Sequence, residues 1–382
     1  MKIIIAPDSF KESLSALEAA DAIERGFQSV FPGADYRKLP MADGGEGTVQ
    51  SLVDATTGWI KEQVVTGPLG EPVEAFFGMM GDGKTAVIEM AAASGLHLVP
   101  VERRNPLVTT TRGTGELMAA ALDAGAEHLM IGIGGSATND GGAGMIQALG
   151  GRLLDESGRE IGPGGGALSQ LASLDISELD PRLENVKLEV ACDVDNPLTG
   201  PKGAAAVFGP QKGATEDMVD VLDQNLAHFA DVAEKALGTT SREIKGAGAA
   251  GGLGWSLLAF LDADLKRGID IVLEAVDFAD EVQDADLVIT GEGRIDSQTI
   301  YGKTPIGVAK AAKSYDVPVI GIAGSVSRDS DAVYQHGIDA LFSIVPGAVP
   351  LEDAVEHAAE YMERTARDIA AAIKLAKTMF LI

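Results

Sequence analysis

The sequence predicts an α/β protein of two domains: a parallel-sheet, Rossmann-like α/β domain built from both chain ends, and an inserted mixed α/β domain. Three observations predict it. The first sixty residues alternate apolar strand, polar loop and amphipathic helix twice over, which is how a parallel α/β sheet begins. From Trp59 that rhythm gives way to short strands separated by the turn signals Gly67-Pro68-Leu69-Gly70 and Gly81-Asp82-Gly83. After Thr290 the strand–helix alternation returns. The simplest organisation joins 1–60 and 285–382 in one discontinuous domain and inserts 61–284 as the other.

The elements follow in order. Ile3–Ile5 is a buried-strand run, ending at Ala6-Pro7-Asp8-Ser9. Ser15 with Glu18 forms a capping box before a helix whose Leu17, Ala20, Ile23, Phe27 and Val30 share one face and which stops near Pro32-Gly33. Tyr36–Leu39 reads as a second strand, and a second helix runs from Thr48. Strands at 60–65, 73–79 and 85–90 make an antiparallel meander. A helix at 115–125 leads to a strand at 128–133. Leu188–Ala191 is a strand, a long helix runs from Thr215 to Gly238, and a third glycine loop fills 245–252. Leu287–Ile289 is a strand broken by Gly291 and Gly293. Thr304 and Pro305 read as the N-cap and first position of a helix. Strands follow at 317–322 and 340–345. The last helix carries Val355, Met362, Ala366, Ile369 and Ile373 on its buried face.

Composition narrows the function. The 382 residues hold 57 acids against 30 bases, a net charge of −27, with 46% hydrophobic residues. Such a chain is globular. Its acidity argues against nucleic acid and against an anionic membrane surface, both of which need clustered Lys and Arg. The single cysteine, Cys192, permits no intrachain disulfide. The N-terminal run reads as a strand rather than a signal peptide, and no run reaches transmembrane length, so a cytoplasmic protein is expected. Assembly into a homo-oligomer is left open.

Chemistry concentrates in a few loops. At 284–305 a buried strand delivers Glu292, Arg294, Asp296 and Lys303 together with glycines, and ligands of open α/β sheets bind at the carboxyl ends of strands. Gly302-Lys303-Thr304 imitates the end of a P-loop, but Ser297 stands where that motif needs glycine. Asp8, Ser9 and Lys11, then Asp43 and Glu46, follow the first two strands. At 131–150, six glycines between a strand and a weak helix leave backbone N–H groups able to point at an anion. Gly132, Gly134 and Ala137 also satisfy a dinucleotide fingerprint, with Asp155 as ribose acid, although Gly141 and Gly142 fall where its helix should run. Asp193 and Asp195 beyond a strand suit Mg²⁺, or simply form a turn before Pro197.

Taken together, APDSFKESLSA, MADGGEGT, GTGE, IGIGGSATNDGGAGM, ACDVDNPLTGPKGAA, FGPQKGA, GAGAAGGLG and DLVITGEGRIDSQTIYGKTPIGVA resemble glycerate kinase of the bacterial family 1, of the glycerate 2-kinase type. The motifs run in order from residue 6 to about 309. The resemblance implies ATP-dependent phosphorylation of D-glycerate, with 2-phosphoglycerate favoured over 3-phosphoglycerate, and an active site in a cleft between two α/β domains. Residue chemistry then suggests roles, because phosphoryl transfer is mostly positioning and charge neutralisation. Gly134, Gly135 and Ser136 suit the ATP phosphates, and Asp193 and Asp43 suit Mg²⁺. Asp296 is the first choice for the base, with Asp193 as rival. Lys303 and Arg294 neutralise the transferring charge or grip the glycerate carboxylate, helped by Ser9 and Lys11. Two other classes stay open: a nicotinamide-dependent dehydrogenase using the fingerprint, and a non-catalytic solute-binding protein.

Overall fold

The computed structural model describes residues 1–380. The chain divides into two compact units, one formed by Met1–Asp43, Gln50–Thr56 and the chain from Ile269 onward, the other by Gly44–Val49 and Thr57–Gly268.

The first unit is built on a parallel sheet of β1 (Lys2–Pro7), β2 (Asp35–Lys38), β11 (Leu287–Ile295), β12 (Val319–Val326) and β13 (Ala340–Ser343). Its order is β13-β12-β11-β1-β2. From β1 the chain winds outward through the helix Ala16–Gln28 to β2. From β11 it winds the other way, through the helix Thr304–Lys313, to β12 and β13. The winding therefore reverses between β1 and β11, and such a switch point leaves an open crevice at the carboxyl ends of the strands.

Why these residues make these elements is plain in the packing. Ile3 and Ile5 of β1 and Ile289 of β11 bury one sheet face against Ala19, Ile23 and Phe27 of the first helix and Met362, Ala366 and Ile369 of the last. Each buried Ile, Phe or Met among them contributes roughly 1.5–3 kcal/mol. The predicted capping box is present: Glu18 N–H donates to Ser15 Oγ at 3.2 Å, and Ser15 N–H to Glu18 Oε2 at 2.8 Å.

Three expectations need correction here. β11 does not stop at the glycines but runs on to Ile295, paired Gly291↔Ile322, Glu292↔Ala323 and Arg294↔Ser325 with β12. Gly291 is required by close approach rather than by a turn, since a Cβ there would collide with the Ile322 carbonyl oxygen. Glu292 and Arg294 are therefore strand residues. Second, the N-cap before Ile306 is Lys303 (φ −68°, ψ 160°), not Thr304, whose hydroxyl is bonded elsewhere. Third, the C-terminal helix is two helices, Leu351–Glu356 and Ala358–Phe380, separated by a cap at His357 (φ −103°, ψ 14°).

The second unit carries a six-stranded sheet of β3 (Trp59–Thr66), β4 (Pro72–Met79), β5 (Thr85–Glu89), β6 (His128–Gly132), β9 (Lys187–Ala191) and β10 (Asp264–Lys266) in the order β10-β9-β6-β5-β4-β3. The expected meander supplies the antiparallel half, β3-β4-β5. β5, β6, β9 and β10 pair in parallel, so the sheet is mixed. Phe77, Ile88, Leu129, Ile131 and Val190 pack against Leu117, Met118 and Ala121 of the helix Arg112–Asp123. A separate antiparallel pair, β7 (Arg152–Leu154) with β8 (Ser173–Asp175), lies outside this sheet. The helix Glu216–Leu237 starts from the Thr215 cap and ends at left-handed Gly238, as its sequence predicts.

Candidate functional site

In the first unit, polar side chains gather at the carboxyl ends of β1 and β11, beside the switch point. Asp8 directly follows β1, and its N–H donates to Gly291 O at 2.8 Å, which locks the loop to β11. Its carboxylate accepts from Ser9 N–H at 2.6 Å and from Thr304 Oγ1 at 2.6 Å. Burial nevertheless pushes the Asp8 carboxyl up to about 6, and the neighbouring Asp43 charge pushes the same way. Met41 N–H donates to Pro7 O at 2.9 Å, which fixes the segment leading to Asp43 against the end of β1.

Glu292, buried near the end of β11, accepts from Thr299 Oγ1 at 2.8 Å and from Lys303 Nζ at 3.3 Å. Burial lifts it to about 7, against the pull of the Lys303 charge. Asp8 adds to the rise, so the two carboxyls sense each other. Asp296 forms a turn: its Oδ1 accepts from Gln298 N–H at 2.9 Å, while Arg294 Nε lies 3.1 Å from Oδ2. Arg294 is otherwise largely exposed. Lys11 is also exposed and makes no ion pair among the described residues. Its backbone N lies beside Gly293, 3.6 Å from where a Cβ would sit. Of the residues predicted from sequence, Ser9, Lys11, Asp43, Arg294, Asp296 and Lys303 thus belong to the first unit. Asp8, Glu292, Thr299 and Thr304 join them as partners that sequence reasoning did not assign. A signal was present for two of these, since Asp8 and Glu292 are the first acids past the two apolar strand runs.

The remaining predicted residues, Gly134, Gly135, Ser136 and Asp193, belong to the second unit. Beyond β6 the chain turns through exposed Gly134 and Gly135, the latter at φ +73°, a conformation that favours glycine. Among the described residues, no protein acceptor takes the N–H groups of Gly134, Gly135 or Ser136. The rest of the loop is pinned from below. Asp140 accepts from Thr111 N–H (2.8 Å), Thr111 Oγ1 (2.9 Å), Gly142 N–H (3.1 Å) and Gly144 N–H (3.3 Å). The third glycine loop braces this one: Gly141 N–H donates to Gly251 O at 3.0 Å and Ser256 Oγ to Gly141 O at 2.5 Å. A dinucleotide helix is not formed. Gly142 caps only the short helix Ala143–Ala148, and Asp155 is engaged by Ser157 N–H (2.8 Å) and Arg159 N–H (3.0 Å) in a local turn. Asp193 follows β9, and its Oδ1 accepts from Gly268 N–H at 3.3 Å.

These two constellations, acids and bases at a switch point and an anion-ready glycine loop, are the parts that phosphoryl transfer requires. The model of the glycerate kinase family matches residues 3–374. The chain belongs to the glycerate kinase family. Its relatives include a glycerate kinase of Bacillus subtilis (strain 168), 88% identical over 382 residues and all of both chains. A glycerate 2-kinase of Escherichia coli (strain K12) is 59% identical over 375 residues, 98% of each chain. A solved structure of a glycerate kinase 2 candidate from Salmonella typhimurium LT2 superimposes with a TM-score of 0.93 at 58% identity, covering 99% of each chain. The protein is therefore a kinase, which displaces the dehydrogenase and solute-binding readings. Among the described residues no helix is long and apolar enough to cross a membrane.

A kinase of this family implies ATP as co-substrate. The described residues hold no cluster of three or more His, Cys, Asp or Glu side chains shaped for a metal. Mg²⁺ bound with a nucleotide needs only one or two carboxylates, the phosphates and water supplying the rest. Asp8 and Asp43 fit that demand. They are hard oxygen donors close enough for one charge to raise the other's proton affinity, and a cation would relieve that repulsion.

Proposed function

We propose that this kinase transfers the γ-phosphoryl group of ATP to D-glycerate in the cytoplasm, giving 2-phosphoglycerate and ADP. The observation that carries the reading is the carboxyl pair of half-buried Asp8 and buried Glu292, the latter held by Lys303, at the switch point of a glycerate kinase fold. The name of the Escherichia coli relative supports the 2-phospho product.

In this reading Glu292 takes the proton of the attacking hydroxyl, because a carboxyl near pH 7 combines the ionised form with useful basicity. Asp296, the choice from sequence, comes second, since both its oxygens are already engaged, Oδ1 by Gln298 N–H and Oδ2 by Arg294. Arg294, with Lys11 and Ser9, grips the glycerate carboxylate, and the guanidinium can do so bidentately. Lys303 balances charge as the hydroxyl oxygen forms its bond to phosphorus and the bond to the ADP oxygen breaks. The N–H groups of Gly134, Gly135 and Ser136 receive the nucleotide phosphates. Asp43 with Asp8, and Asp193 of the second unit, are the carboxylates assigned to Mg²⁺, which when bound neutralises phosphate charge.

The test is ³¹P NMR of the product formed from ATP, Mg²⁺ and D-glycerate. Phosphorus coupled to one proton identifies the 2-phosphate. Coupling to a methylene pair would identify the 3-phosphate, and absence of ADP with folded protein would overturn the substrate.

A further inference from the structure

Beneath the Gly134–Ser136 turn lies a side chain to which the mechanism above gives no task. Lys212, from the segment FGPQKGA, is 1% exposed. A buried ammonium is costly unless its hydrogens find acceptors. Its Nζ donates to Ser136 Oγ at 2.6 Å and to Thr138 O at 2.6 Å. Among the described residues it has no carboxylate in ion-pair range, for Asp140, the acid that acts on it electrostatically, is turned to Thr111, Gly142 and Gly144. Burial pulls the Lys212 amine down to about 7, with the Asp140 charge opposing. This is a cation held close to neutrality, without a counter-ion, directly behind a glycine turn.

Hydrogen-bond accounting at Ser136 gives the consequence. A hydroxyl has one hydrogen and two lone pairs. Lys212 fills a lone pair, so the Ser136 hydrogen must point elsewhere, and among the described residues no protein acceptor takes it. The same turn carries the acceptor-free N–H groups of Gly134, Gly135 and Ser136. Close by, the buried Thr138 hydroxyl and both polar atoms of the Asn139 amide also lack partners. Unpartnered donors over a buried cation describe a seat for a polyanion.

We propose that Lys212 is a positioning residue for the nucleotide: it turns the Ser136 hydroxyl into a further phosphate donor and supplies a positive charge from behind the glycine turn. The proposal rests on reading that turn as the ATP phosphate site. An arriving polyanion favours the charged amine, so phosphate binding near pH 8 draws a proton onto Lys212.

The experiment is calorimetric titration of the full-length protein with the β,γ-methylene analogue of ATP and Mg²⁺ at pH 8, in two buffers of different ionisation enthalpy. Wild type should take up a substantial fraction of a proton. Lys212→Met should abolish that uptake and weaken affinity about 10-fold or more, as loss of a charge-assisted contact does. Ser136→Ala removes one hydroxyl from the turn and should weaken affinity comparably, which keeps the test alive if Lys212→Met does not fold. Gly134→Val separates the two levels, because a side chain there meets open space and obstructs only the ligand. If Gly134→Val loses the analogue while Ser136→Ala binds normally and wild type takes up no proton, the role of Lys212 is wrong and the loop assignment stands. If Gly134→Val binds normally, both fall.

Discussion

The carboxyl pair of the first unit and the lysine of the second are shifted by one cause in opposite directions. Burial disfavours charge, so it raises Asp8 to about 6 and Glu292 to about 7, and lowers Lys212 to about 7. The two sites differ in their compensation. Glu292 has a cation, Lys303, at 3.3 Å, and Asp8 accepts from Ser9 and Thr304. Lys212 has a hydroxyl and a carbonyl but, among the described residues, no carboxylate within ion-pair range. One site therefore supplies proton acceptors near neutral pH, as chemistry on a hydroxyl needs. The other presents donors and latent positive charge, as phosphate binding needs.

The sharpest way to break this comparison is Glu292→Gln. It should lower kcat by about 100-fold or more, the usual worth of a general base, while affinity for the ATP analogue stays within a few-fold of wild type. Asp296→Asn should cost less. If the order of the two is reversed in a coupled ADP assay, the base is Asp296. Arg294→Ala comes next, raising the KM for glycerate about 10-fold with the KM for ATP little changed. A change confined to ATP would move Arg294 to the nucleotide side.

Stability against pH separates the two sites without any substrate. Glu292 ionises near 4.5 ordinarily and near 7 when folded, so between those values the folded state binds more protons and stability falls as pH rises. Lys212 ordinarily keeps its proton to 10.5 but releases it near 7 when folded. Between those values the unfolded state binds more protons, and stability rises with pH. Denaturant titrations should show the first slope flattened in Glu292→Gln and the second in Lys212→Met. Unchanged slopes would mean that neither group is shifted. The smallest effect belongs to a control distant from the chemistry. Ser15→Ala breaks the capping box and should cost about 1 kcal/mol of stability with no change in kcat.

How much of this was legible in the sequence depends on whether the cause was local. Ile3–Ile5 and Leu287–Ile289 announced buried strands because parallel strands covered on both faces are apolar throughout. The Ser15 box and the Thr215–Gly238 helix were readable because caps act within a few residues. β7, β8 and β10 were not, for three-residue strands carry no period. The continuation of β11 through two glycines was hidden, because the close approach of β12 lies in a distant segment. At the candidate site, residue types were legible but partners were not. The pairing of Asp8 with Thr304 joins residues 296 apart, and Lys212 meets Ser136 across 76. A lysine in a sequence reads as solvated, and only the fold reveals that this one is buried.

The most direct test of the account is the pH dependence of kcat/KM for D-glycerate at saturating ATP and Mg²⁺. With Glu292 as base, the wild-type profile should fall tenfold per pH unit below an apparent pKa near 7, and that limb should be absent from the residual activity of Glu292→Gln. A wild-type profile that stays flat down to pH 5.5, or a limb that survives in Glu292→Gln, would contradict the assignment of the base to the buried carboxyl at the switch point.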